Sequence, residues 1–159
     1  MVFFGYAAKG LCTRDMVYYT ISPEGKITNE VWFEIPYYCM MHDFGITEDY
    51  AVFNVMPSIG SWERLEKGMP HFGFDTTMPV HLGIIPRRDG VTQADIRWFT
   101  RDNCFASHVV NAWQDGSKVH FVVPEAQNFG YDSYATLDVK DKVVVVLRYF
   151  PEDADQKTR

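Results

Sequence analysis

The sequence predicts an all-β fold of antiparallel sheets, and three observations support this prediction. Short apolar and β-branched runs alternate with turn residues from end to end of the chain. Aromatic residues make up 16% of the sequence, which fits strands or an apolar ligand site better than a helical bundle. Several turns, such as Asp89-Gly90 and Asp115-Gly116, have the composition of tight hairpins, so successive strands are expected to pair antiparallel.

About eleven strand-like runs follow one another, with one exception in the middle of the chain. The segment from Ser61 to Gly68 is predicted to form a short helix in an insertion, with Ser58 or Ser61 capping its start and Gly68 ending it. The strands are expected near Val2–Ala7, Met16–Ile21, Lys26–Glu34, Met40–Ile46, Tyr50–Val55, Val80–Pro86, Asp95–Phe99, Cys104–Asn111, Lys118–Val123, Tyr134–Leu137 and Lys142–Tyr149.

The number of strands suggests a propeller but leaves other architectures open. A four-stranded propeller blade takes roughly 40–50 residues, so the chain would supply about three blades. A propeller needs four to eight blades to close its ring, and three would leave open sheet edges. Residues 1–159 are therefore expected to form a single partial domain. A sandwich or a partly open barrel could hold the same strands.

Composition and charge exclude several classes of partner. The net charge is −6 and no basic block occurs, which argues against nucleic acid or an anionic membrane. No apolar stretch approaches the ~20 residues of a membrane span. The three cysteines, Cys12, Cys39 and Cys104, form no CxxC pair, so a reducing compartment and a cytoplasmic location are expected.

Two histidines are the candidate metal ligands. His42 is expected inside a strand flanked by Met41 and Phe44, and His108 on an apolar strand just before a turn. An imidazole in an apolar setting needs a partner, and a metal ion is one such partner. The two are far apart in sequence, so the fold would have to bring them together. For each histidine alone, a hydrogen bond in the core is the more frequent explanation.

The segments around these histidines resemble the carotenoid cleavage oxygenase family. "MMHDFGITEDYAVF" resembles the family's second metal-histidine motif, and "CFASHVVNAWQDG" resembles the third. The stretch between them, Glu63–Arg88, is similar to the family's linking region, and "FFGYAAKG" to the sequence after its first metal histidine. Within the family, "GYAAKG" and "NAWQDG" look closest to the lignostilbene or stilbene dioxygenase branch.

The resemblance implies a fold and a metal site. It implies a seven-bladed β-propeller, of which this chain would be an incomplete central part, with Fe(II) held on the axis by four histidines. His42 and His108 match two of the four ligands, and no catalytic residue is expected beyond the ligands. The other ligands and the glutamates that orient them should lie outside this sequence. Asp43 and Glu48 are expected to be solvent-facing or turn residues.

The resemblance also implies a reaction. Such an enzyme uses O2 to cleave a conjugated C=C bond of a stilbene or (apo)carotenoid, giving two carbonyl products. Phe44, Phe74 and Phe105 are candidate walls of an apolar substrate tunnel, although core packing is the more frequent explanation for each of them alone. One alternative is a truncated, inactive product that acts at most as a binding module. A small barrel with two histidines and a carboxylate is another, but the close His-x-His pair of cupin-like barrels is absent.

Overall fold

A computed structural model describes residues 1–124 of the chain, which belong to one unit, Met1–Gln127. The strands expected near Tyr134–Leu137 and Lys142–Tyr149 lie outside the described residues, and the single domain over residues 1–159 stays a prediction. The described strands are β1 (Val2–Tyr6), β2 (Asp15–Ile21), β3 (Ile27–Glu34), β4 (Phe44–Ile46), β5 (Tyr50–Val55), β6 (Ser58–Gly60), β7 (Phe72–Phe74), β8 (Val80–Pro86), β9 (Arg97–Arg101), β10 (Asn111–Asp115) and β11 (Lys118–Val122).

These strands form antiparallel sheets in chain order. The first sheet has the order β1-β2-β3, the second β4-β5-β8-β9, and the third contains β10 and β11. A separate ribbon pairs β6 with β7. The predicted all-β, antiparallel class is confirmed, and three successive sheets match the expected number of blades. No helix within residues 1–124 has the length and apolar character needed to cross a bilayer.

The core joins the first sheet to the second around one phenylalanine of β5. Phe53 is fully buried, and burying such a side chain contributes about 1.5–3 kcal/mol. One aromatic ring from each of the strands β1 to β4 packs on it, with centroid separations between 5.2 and 6.2 Å. These rings belong to Phe4, Tyr18, Phe33 and Phe44. The position of β4 is therefore fixed by aromatic packing at its first residue.

The connection between β5 and β8 carries an insertion made of β6, the helix α1 (Trp62–Glu66) and β7. The predicted helix is confirmed: the Ser61 hydroxyl accepts a hydrogen bond from the Arg64 amide at 3.2 Å. Gly68 follows the helix with φ of 65°, a left-handed conformation that glycine adopts without strain. The two short strands and a 3-10 helix at Gln93–Asp95 were not predicted.

Two strands begin later than the sequence indicates. The strand expected at Met40–Ile46 is regular only from Phe44, and the one expected at Cys104–Asn111 is replaced by an irregular segment before β10. Apolar alternation suggested strands there, but regular ladders need a neighbouring strand, and these segments make other contacts. The predicted turn at Asp115-Gly116 is present and closes the β10–β11 hairpin, with Gly116 at φ of 57°.

Candidate metal centre

The two candidate histidines come together in the structure. Their ring centroids lie 5.0 Å apart, and the ring planes meet at 78°. His42 lies just before β4, the first strand of the second sheet, and His108 just before β10, the first strand of the third. Residues distant in sequence thus meet because consecutive sheets place their first strands side by side.

The setting of the pair differs from the sequence prediction. Both side chains are exposed rather than enclosed by apolar neighbours. In the described part of the chain, no hydrogen bond engages either imidazole. Their ring nitrogens are therefore available to an added ligand.

The spacing of the two rings suits a shared metal ion. An imidazole nitrogen lies about 2 Å from a first-row metal ion that it binds, so two rings on one ion have centres about 5 Å apart. The observed 5.0 Å matches this separation. No group of three potential ligands occurs within residues 1–124, so the described residues supply a pair of ligands and not a complete set.

Asp43 connects the two histidine segments. One carboxylate oxygen accepts a hydrogen bond from the Val109 amide at 2.8 Å, and the other accepts from the Phe44 amide at 2.9 Å. Asp43, which was expected to be a solvent-facing or turn residue, is half-buried and lies just before β4. Its neighbour in sequence is His42, and Val109 is the neighbour of His108. Glu48 is exposed in the β4–β5 turn, as expected.

Asn54 holds the same segment at its other end. Its side-chain amide donates to the Ala106 carbonyl at 2.6 Å, and Asn54 itself is only 8% exposed. It is a polar residue in the otherwise apolar run of β5, where an unpaired amide would carry a large desolvation cost. The segment that carries His108 is therefore bonded to the second sheet on both sides.

The contact continues along β4 and β10. A Cβ atom placed on Gly45 would lie 2.8 Å from the Ala112 Cβ, so the strands approach too closely for a side chain. The Gln114 side-chain oxygen accepts from the Thr47 hydroxyl at 2.5 Å and from the Asp49 amide at 2.7 Å. We call this contact the β4–β10 seam; it comprises Asp43, Gly45, Thr47 and Asp49 on one side and Val109, Ala112 and Gln114 on the other.

The three candidate tunnel residues occupy two different places. Phe44 stacks on Phe53 at 5.2 Å in the core. Phe74 and Phe105 contact each other edge to face at 5.4 Å, and each is 37% exposed. Their part in a substrate tunnel stays a prediction.

The remaining histidines are engaged in packing. His71 stacks on Phe72 at 4.3 Å, and His120 stacks on a tryptophan of β10 at 4.8 Å. The His81 ring lies 3.3 Å from the Thr100 hydroxyl, and burial lowers the pKa of this imidazole. These packing contacts distinguish the three histidines from the exposed pair, His42 and His108.

Sequence reasoning missed the supporting residues Asp43, Asn54 and Gln114. Only Asn54 carried a local signal, an amide within the apolar run Tyr50–Val55. The roles of the other two depend on which strands meet.

Comparison with known proteins identifies the family to which the chain belongs. Residues 1–155 match the family model of retinal pigment epithelial membrane protein. Lignostilbene-alpha,beta-dioxygenase isozyme III from Sphingomonas paucimobilis is 56% identical over 126 residues, covering 79% of this chain and 26% of the relative. Carotenoid cleavage oxygenase 1 from Neurospora crassa is 43% identical over 115 residues, covering 72% and 22%.

Solved structures show the same fold. The lignostilbene dioxygenase of Pseudomonas brassicacearum superposes with a TM-score of 0.71 at 38% identity, covering 77% of this chain and 25% of that one. A cobalt-substituted Synechocystis apocarotenoid oxygenase superposes with a TM-score of 0.64 at 20% identity, covering 84% and 28%, and supports the fold alone.

The chain therefore belongs to the retinal pigment epithelial membrane protein family, which includes the carotenoid cleavage oxygenases and lignostilbene dioxygenases among these relatives. The family resemblance and the β-propeller fold class are confirmed. The chain spans about a quarter of the length of the relatives it matches.

Proposed function

We propose that His42 and His108 are two ligands of a ferrous ion in an oxygenase that cleaves a conjugated C=C bond of a stilbene or (apo)carotenoid. The approach of the two imidazoles to 5.0 Å is the observation that carries this proposal. The names of the relatives support the substrate class, since they include a lignostilbene dioxygenase and a carotenoid cleavage oxygenase. The remaining ligands would come from residues outside 1–124.

The residues of this chain would perform three tasks in such a site. His42 and His108 would bind the ion as neutral ligands, which imidazole provides for first-row metals. Within the β4–β10 seam, the hydrogen bonds of Asp43 to the Val109 and Phe44 amides would orient both rings. Apolar surface such as that of Phe74 and Phe105 would exclude water from the substrate. When bound, ferrous iron supplies the dioxygen chemistry that turns the alkene into two carbonyl products.

The test is to replace each histidine and to measure iron and turnover separately. We expect His42→Ala and His108→Ala in the complete iron-loaded protein to lose bound iron and to stop releasing aldehyde from a stilbene under O2. His71→Ala is the matched control, because that ring is stacked on Phe72, and it should keep both properties. Iron and turnover at control levels in both site variants would disprove the ligand assignment.

A second candidate function applies to residues 1–159 alone. Two imidazoles make a weak metal site, and the described residues contain no group of three potential ligands. We propose that this chain alone has no turnover and acts at most as a binding module for an apolar ligand. Mixing the purified chain with Fe(II), O2 and a stilbene should give no aldehyde. Iron-dependent cleavage by the chain alone would refute this second proposal.

A further inference from the structure

The segment that carries His108 has no strand ladder to hold it. Regular pairing of β10 with β11 begins only after it, from the bond between the Val110 amide and the Val122 carbonyl at 2.8 Å. Upstream, Phe105 forms only a bridge. Between Phe105 and Val110, the described hydrogen bonds of the segment's backbone are two bonds to side chains. The Ala106 carbonyl accepts from the Asn54 side chain, and the Val109 amide donates to the Asp43 carboxylate.

One partner side chain belongs to the second sheet, and the other lies just before it. Asp43 is next to His42 in the chain, and Asn54 lies on β5, which pairs with β4 through Phe44 and Phe53. β5 also pairs with β8 on its other side and is almost entirely buried. The two bonds therefore position His108 with respect to the most buried strand of the second sheet and to the residue next to His42.

We infer that Asp43 and Asn54 are positioning residues that hold His108 at the ring spacing a shared metal ion requires. This inference rests on the proposed function. Asn54 supplies a donor and Asp43 an acceptor, so the segment is bonded on both sides of His108 and cannot turn as a free loop would. Groups that orient metal ligands typically change metal affinity by about 10–100-fold when they are removed.

The first test measures metal affinity rather than activity. Co(II) is titrated into the iron-free complete protein against a chelator, for wild type, Asp43→Ala, Asp43→Asn and Asn54→Ala. We expect Asp43→Ala and Asn54→Ala to bind Co(II) about 10–100-fold more weakly. Asp43→Asn keeps a side-chain oxygen that accepts from the Val109 amide, so it should bind nearly as well as wild type.

A matched control separates positioning from loss of stability. Gln114→Ala removes hydrogen bonds of the same seam at a point away from His108, to Thr47 and Asp49. It should lower thermal stability and leave Co(II) affinity unchanged. Wild-type affinity in both Asp43→Ala and Asn54→Ala, or an equal loss in Gln114→Ala, would overturn the inference. If Asp43→Ala does not fold, Asn54→Ala and Asp43→Asn decide the question.

A second readout distinguishes failure of this inference from failure of the proposed function. Hydrogen exchange of the Val109 amide in the metal-free protein should be slow in wild type and in Asp43→Asn, and faster in Asp43→Ala. This result does not depend on iron or turnover. If His42→Ala retains the metal while Val109 exchange behaves as expected, the hydrogen bonds exist but the metal assignment fails. Unchanged exchange in Asp43→Ala would refute the positioning role directly.

Discussion

The β4–β10 seam and the insertion between β5 and β8 are built in opposite ways. In the seam, hydrogen bonds join residues 65 to 67 positions apart, as in the bonds of Gln114 to Asp49 and Thr47. In the insertion, Arg64 bonds to Ser61 three positions away and to Phe72 eight positions away. Closing a long loop costs more entropy than closing a short one. The insertion can therefore form locally, whereas the seam needs two sheets to dock first.

This difference bears on the histidine pair proposed to bind the metal ion. His42 and His108 face each other across the seam, so their spacing depends on docking of the sheets and not on any local motif. Variants that break the seam at the Asp43–Val109 bond should separate the rings, and variants that loosen the insertion should not.

The largest effect is expected at two glycines that are crowded in different ways. A Cβ on Gly45 would meet the Ala112 Cβ and the Phe121 ring at 2.8 Å, whereas a Cβ on Gly73 would meet the guanidinium of Arg64 at 2.5 Å. The first neighbours are fixed in a sheet, but the end of an arginine can move aside. Gly45→Ala should lower the free energy of unfolding by about 1–3 kcal/mol, as overpacking does. Gly73→Ala should lower it less, because the arginine side chain can move. Urea unfolding of Gly45→Ala and Gly73→Ala measures the two losses of unfolding free energy, and equal losses would show that the seam is no more rigid than the insertion.

A smaller effect is expected from the polar end of the seam. Gln114→Ala leaves the Asp49 amide without its acceptor and leaves the Thr47 hydroxyl only the Tyr50 carbonyl at 3.3 Å. This change should cost about 1–2 kcal/mol. Gln114→Glu keeps an accepting oxygen but sets a second carboxylate beside Asp49, whose carboxylate now accepts from the Gln114 amide at 3.0 Å. The Glu variant should recover stability as salt is added, because screening weakens repulsion. Thermal melts at low and high salt test this, and salt-independent loss would rule out the charge explanation.

In the insertion, loss of the helix cap should have a local effect only. Ser61→Ala removes the acceptor for the Arg64 amide and should weaken α1 by about 1 kcal/mol. Faster hydrogen exchange is expected within Trp62–Glu66, with no change at Val109 of the seam. Glu63→Gln, which removes the exposed ion pair with Lys67, serves as a control with little expected effect. Faster exchange at Val109 in Ser61→Ala would mean that the insertion and the seam open together.

The same contrast explains how much the sequence revealed. The helix from Ser61 onward was predictable because its cap and its terminating glycine act within a few residues. The hairpin turn at Gly116 was predictable for the same reason. The roles of Asp43 and Gln114 were not predictable, because they depend on a partner about 65 positions away. The histidine pair was identified through family resemblance, since spacing alone favoured ordinary core histidines.

The smallest effect is expected at Cys39, a buried thiol that contacts the insertion. It is a change in the rate of labelling and not in the stability of the protein. Cys39 is fully buried and forms a bridge with Ile59 of β6. Burial raises the pKa of this thiol to about 12, so at pH 8 it is protonated, and only a thiolate reacts with an alkylating reagent. The partly exposed Cys12 should be labelled first, and Cys39 only when the insertion opens.

Labelling of Cys39 thus reports on the insertion as Val109 exchange reports on the seam. In Gly60→Ala, the added Cβ would overlap the ring of Tyr38, which should displace β6 and speed Cys39 labelling. In Gly45→Ala, Val109 exchange should speed up while Cys39 labelling stays slow. Mass spectrometry of the labelled peptides checks both variants side by side. If Gly45→Ala exposes Cys39 as readily as Gly60→Ala does, the two regions form a single cooperative unit, and the histidine pair is then held by the whole core and not by the seam.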